Sequence, residues 1–72
     1  MSDAYNNFSV ETTRASDLIN MSSHELLRVA IAYALALNEL PANSAVRRQY
    51  RHRRMVAYRI VDERKKEEFR GL

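Results

Sequence analysis

The stretch Met21-Ser22-Ser23-His24-Glu25-Leu26 restricts the fold of this chain more than any other. A serine at Ser22 accepts a hydrogen bond from the backbone amide three residues on. Glu25 reaches back to the amide of Ser22. Together they satisfy two of the N–H groups that every helix start leaves without partners. Met21 before the cap and Leu26 at the fourth helical position complete a hydrophobic staple. A helix therefore begins at residue 22 and runs through ELLRVAIAYALALNEL to about residue 40. Pro41 ends it, because proline lacks the amide donor and disfavours helical geometry in the residue before it.

With successive side chains about 100° apart around the axis, Leu26, Ala30, Tyr33, Leu37 and Leu40 share one face of this helix. Val29 and Ala34 flank that face. Ile31 and Leu35 point toward the opposite side, near Arg28, Asn38 and Glu39. The polar stripe is narrow, and a helix apolar nearly all round needs cover nearly all round. Either the N-terminal segment supplies the second cover, or part of that face meets another molecule.

Pro41-Ala42-Asn43-Ser44 is a short connection, with Asn43 or Ser44 as the next N-cap. A second helix follows over about 44–68, without a glycine or proline to break it, and Gly71 provides a stop. Val46, Tyr50, Ala57, Ile60 and Val61 form its apolar side, widened by Val56. Asp62 with Lys66 and Arg64 with Glu68 are opposite charges at helical spacing near its end. Upstream, Phe8, Val10 and Thr12 alternate with polar residues, which predicts a short strand or extended segment. Ala15 to Met21 is expected to form a short helical turn with Ala15, Leu18 and Ile19 inward. The predicted fold is all-α: a two-helix hairpin (about 22–40 and 44–68) with an extended or partly helical N-terminal segment packed over it. At 72 residues this is one small domain, 1–72, with residues 1–7 and 70–72 expected to be disordered.

Charge is distributed unevenly along the chain. Residues 1–40 carry five acids and two arginines, residues 41–61 carry six arginines and no acid, and residues 62–72 carry four of each sign. The net charge of +3 therefore conceals a basic patch, and a patch sets the potential that a partner meets. On the second helix Arg47, Arg48, Arg51, Arg54 and Arg59 are expected to project from the side opposite the core, with Met55 and Tyr58 among them. Arg53 falls near the centre of the apolar face and must snorkel or find a carboxylate, for which Glu11 and Asp17 are candidates. Surfaces built only for solubility mix signs. Arginines without acids instead suit an acidic protein surface or phosphates, both of which accept bidentate hydrogen bonds.

Several functions are disfavoured by composition. The chain has no cysteine, so disulfides and thiolate metal sites are excluded. His24 and His52 fall in different helices without a ligand pattern, so no metal and no other cofactor is expected. Ser22, Ser23, His24 and Asp17 resemble a nucleophile, base and orienter only in composition, because neighbours within one helical turn point apart and capping already occupies Ser22 and Glu25. The chain is not expected to be an enzyme. The N-terminus lacks the basic and apolar regions of a signal peptide. The apolar run from Leu26 to Leu37 is interrupted by Arg28 and is too short to cross a bilayer. No membrane association is expected, and the expected location is the cytoplasm of a bacterium or of a host cell.

Two short elements before a basic helix bring to mind helix-turn-helix DNA-binding domains, but the middle helix is too long and apolar. Apart from Gln49, the basic helix also lacks the mix of Asn and Gln that reads base edges. Nucleic acid remains the alternative ligand, held through phosphates by the same face. In size and character, the capped apolar helix (SSHELLRVAIAYALAL) followed by the arginine-rich helix (VRRQYRHRRMVAYRIV) resembles the small early proteins of bacteriophages, some of which bind host RNA polymerase and alter transcription. The resemblance implies a regulator without a cofactor that contacts an acidic surface, RNA polymerase being the implied partner. Arg47, Arg48, Arg51, Arg54 and Tyr58 are the expected contacts on the helix, with Phe8 and Val10 on the extended segment. Monomer or weak homodimer is expected, a dimer using the Ile31 and Leu35 side.

Overall fold

Two antiparallel helices carry the core, and a short N-terminal segment lies along one side of the seam between them. The computed structural model describes residues 8–70. Of the tails expected to be disordered, residues 1–7, 71 and 72 lie outside the described residues, and Arg70 is the last residue of a helix. Helix α1 spans Ser23–Glu39 and starts as its sequence dictates. The Glu25 amide donates to Ser22 Oγ at 3.1 Å, and the Ser22 amide donates to Glu25 Oε1 at 2.9 Å. Both members of the staple, Met21 and Leu26, are buried. At the other end the Leu40 amide donates to the Leu37 carbonyl at 3.4 Å and Pro41 follows.

Helix α2 spans Val46–Arg70 without a break. Of the two candidate caps, Ser44 acts, its Oγ accepting the Val46 amide at 3.3 Å. The helix runs two residues past its expected end at Glu68. Lys66 bridges Asp62 at 3.5 Å and Glu63 at 3.9 Å, and Arg70 bridges Glu67 at 3.2 Å. These exposed pairs contribute little each, but they favour the helical conformation where no core supports it. The pairing expected between Arg64 and Glu68 is replaced by a different one, described below.

The core is the apolar face read from the helical period. Leu26, Val29, Ala30, Tyr33 and Leu37 of α1 are buried against Tyr50, Ala57 and Val61 of α2, with Leu40, Val56 and Ile60 partly buried beside them. Ala30 and Ala57 are fully buried, and small side chains at such positions let two helices approach closely. Tyr33 sits between two rings. Phe8 meets it edge-on, with centroids 5.8 Å apart and planes at 85°, and Tyr50 lies 5.4 Å away at 55°.

Two expectations for the N-terminal segment fail, each for a local reason. No strand forms among the described residues, and Val10–Thr12 is a turn. The Ser9 amide donates to Thr13 Oγ1 at 2.8 Å, and the Thr13 amide donates to the Ser9 carbonyl at 2.9 Å. A hydroxyl that satisfies a nearby amide offers the backbone an alternative to extension, and here it wins because no second strand is available. The helical turn expected over Ala15 to Met21 forms over Ala15–Asn20, as a 3-10 helix. With three residues per turn, Ala15, Leu18 and Met21 share a face, and Leu18 and Met21 are buried. Ile19, expected inward, is rotated away and exposed.

One buried side-chain polar atom is left without a hydrogen-bond partner among the described residues, the Tyr33 hydroxyl. Burial pushes the Tyr33 pKa above its usual 10.0, and the nearby Arg53 guanidinium pulls against that rise without making a well-formed bond. A raised folded-state value means that the phenol proton is held more tightly in the folded chain. The resulting stability is complete below the unfolded pKa and is lost as pH climbs through the higher folded value. Tyr33→Phe is expected to be neutral or stabilising by up to about 1 kcal/mol, because the hydroxyl is desolvated without compensation. Thermal unfolding at neutral pH checks this. Above pH 10 the variant is expected to keep stability that the parent loses, and a destabilised variant at neutral pH would show that the hydroxyl is satisfied after all.

Candidate functional site

The arginines of α2 divide into two groups according to what their guanidinium groups meet. The first group is used internally. Arg47, half-buried, donates through Nη1 to the Leu37 carbonyl at 2.7 Å and to the Leu40 carbonyl at 3.2 Å. Helix α1 has Glu39 and no basic residue in its last turn. Its unsatisfied carbonyls and the negative end of its dipole therefore receive their cation from the neighbouring helix. Arg47 was expected in the outward row, and its capping role removes it from that row. The missing base in the last turn of α1 marks in the sequence an end without its own cation, and the fold supplies Arg47 to it.

Arg53 and Arg64 tie the N-terminal segment to the hairpin. Arg53 is half-buried, as its place on the apolar face requires, and its Nη1 donates to the Val10 carbonyl at 3.4 Å. Neither expected carboxylate serves it: Asp17 accepts the Arg14 amide at 3.0 Å instead. Arg64 donates through Nη1 to Ser23 Oγ at 3.2 Å and through Nη2 to the Ile19 carbonyl at 3.1 Å. It therefore joins the end of the 3-10 helix to the start of α1.

The second group faces outward. Arg48, Arg51 and Arg59 are exposed and Arg54 is half-exposed. Among the described residues no carboxylate forms an ion pair with any of these four. Arg48–Arg51 and Arg51–Arg54 are three residues apart on one helix, where like charges repel by a few tenths of a kcal/mol per pair. Met55 and Tyr58 are exposed among them. The surface thus mixes guanidinium groups with apolar side chains. It can offer bidentate donors to carboxylates or phosphates and can also cover an apolar anchor.

Phe8 and Val10, expected to contact a partner through an extended segment, are half-buried and packed against the core. Val10 lies in the turn and Phe8 just before it, so among the described residues this segment forms no strand. His24 and His52 are exposed on separate helices. Among the described residues no three His, Cys, Asp or Glu side chains come together in a way that would hold a metal ion, and no helix is long and apolar enough to cross a membrane. No protein-family model, no curated protein and no solved structure matches this chain.

The division between the two arginine groups is testable by stability. Arg47→Ala leaves the α1 carbonyls without their charged donor and is expected to cost about 1–2 kcal/mol. In a domain of this size that lowers Tm by about 4–16 °C. Arg48→Ala and Arg51→Ala are expected to change Tm little, or to raise it by relieving repulsion. Equal losses at Arg47 and Arg51 in thermal denaturation would erase the distinction.

Proposed function

We propose that this protein is a non-enzymatic regulator that binds an acidic protein surface through the outward arginines of α2. The observation that carries this reading is the set of Arg48, Arg51, Arg54 and Arg59. These residues lie on a continuous helix, no carboxylate among the described residues pairs with them, and exposed Met55 and Tyr58 stand between them. Maintaining such a row costs repulsion, and an incoming carboxylate relieves it. The apolar side chains favour protein over nucleic acid, because a phosphate backbone does not cover Met55. Bacterial RNA polymerase is the partner implied by the likeness to small bacteriophage early proteins, and action on transcription follows from it. The cytoplasm is the corresponding location.

Binding to purified bacterial RNA polymerase tests the proposal. The parent chain is expected to bind. Replacing Arg48, Arg51 and Arg54 together by glutamate is expected to weaken binding at least about tenfold, through charge reversal at the contact, with circular dichroism unchanged. A duplex DNA titration at two salt concentrations runs alongside. Tight binding to duplex that falls steeply with salt, with none to the polymerase, would replace this reading by phosphate recognition.

A further inference from the structure

The seam between α1 and α2 has two open sides, and the chain covers one of them. The N-terminal segment lies on the side of Val56, Ile60, Arg53 and Arg64, held by the contacts to Val10 and Ile19. On the other side, Leu27 of α1 and Met55, Tyr58 and Val61 of α2 line an open groove to which no residue of the N-terminal segment contributes. The apolar residues along this side are far from buried: Leu27, Ile31, Leu35, Met55, Tyr58 and Phe69 are between 43% and 72% exposed.

Their spacing is informative. On α2, positions 51, 55, 58, 62, 65 and 69 advance by four and three residues in turn, placing Met55, Tyr58 and Phe69 on one stripe. On α1, Leu27, Ile31, Ala34 and Asn38 do the same, with Leu35 beside them. Stripes with this alternation are what one helix offers to another in shallow-angle packing. Arg64 stands level with Ser23 and Arg47 level with Leu40, so Ile31 is level with Met55 and Val56. Leu27, the first position of the α1 stripe, lines the groove with Met55 and Tyr58 of the α2 stripe, so the two stripes border the same groove.

Charge identifies that occupant. Arg59 and Lys65 line the groove, and Arg51 and Arg54 stand along it. The acid lining it is Asp62, whose carboxylate already bridges Lys66 at 3.5 Å. A second copy would bring the same guanidinium groups against these, with no spare carboxylate on its matching face. Nucleic acid would leave Leu27, Ile31 and Leu35 uncovered. We propose that the groove between Leu27 and Ile31 of α1 and Met55 and Tyr58 of α2 receives an acidic amphipathic helix from the partner protein, completing a three-helix arrangement. The partner's apolar stripe lies between the helices and its carboxylates meet Arg51, Arg54 and Arg59. This deepens the reading of an acidic protein partner and rests on it. From the level of Arg51 to that of Lys65, the last residue lining it, the groove takes about 14 helical residues, or about 21 Å.

The test uses the full chain and two labelled peptides of about 16 residues, one residue longer than that span at each end. One carries leucines at alternating four- and three-residue steps with glutamates elsewhere. The other has the same composition permuted so that the stripe is erased. The amphipathic peptide is expected to bind at least about tenfold tighter, in line with helix-in-groove recognition. Amide chemical-shift changes are expected at Leu27, Ile31, Met55 and Tyr58. A Leu27→Glu, Tyr58→Ala variant, both changes at exposed positions, is expected to lose that preference while binding the permuted peptide as the parent does. Equal affinity for the two peptides, with shifts confined to the arginines, overturns the groove while leaving an acidic partner in place. Failure of both peptides to bind overturns both proposals. A homodimer in sedimentation that Leu27→Glu disperses assigns the groove to a second copy and overturns this one.

Discussion

The ring of Tyr33, fixed between Phe8 and Tyr50, joins three parts of the chain in one aromatic contact at the centre of the core. Phe8 belongs to the N-terminal segment, Tyr33 to α1 and Tyr50 to α2. Aromatic contacts of this kind contribute beyond the area they bury. In a chain without cysteine, stability depends on such contacts, because a small domain buries a limited share of its surface. The stack also explains why the hydroxyl of Tyr33 is stranded: the ring was placed for packing, and its polar tip arrived where the described residues offer no hydrogen bond.

Around that centre the guanidinium group does two kinds of work. Arg47, Arg53 and Arg64 donate to main-chain carbonyls at three places where regular structure ends or turns: the end of α1, the Ser9–Thr13 turn and the end of the 3-10 helix. A long side chain with several donors suits this task, since its aliphatic stem packs while its head reaches a carbonyl. Arg48, Arg51, Arg54 and Arg59 have no such internal assignment. A basic sequence is therefore not a uniform basic surface, and the number of arginines overstates the charge available to a partner. What remains is a smaller patch, interleaved with apolar side chains, and this mixture bears more directly on the kind of partner than total charge does.

The N-terminal segment gives the molecule its asymmetry. By lying on one side of the α1–α2 seam it buries Leu18 and Met21 and partly buries Phe8 and Val10. The apolar residues of α1 that turn the other way are left in water. The same sequence property, a helix apolar nearly all round, thus yields a covered flank that stabilises the chain and an uncovered flank available for binding.

The amino-acid sequence by itself determined where α1 starts and stops, which faces of the two helices meet, and that one face of α2 would be basic. Capping boxes, proline stops and the helical period act between residues a few positions apart, so they can be read without knowing the fold. The Ser9–Thr13 turn was also local, but an alternating pattern hid it. The three-residue period that turned Ile19 outward was hidden in a stretch too short to distinguish it from an α-helical one. Only the tertiary structure decided the destinations of Arg47, Arg53 and Arg64, and which side of the seam the N-terminal segment would cover. A flexible side chain bonds to whatever acceptor the fold brings within reach. For Arg53 and Arg64 those acceptors are about 40 residues away in the chain, a separation across which sequence spacing carries no geometric information.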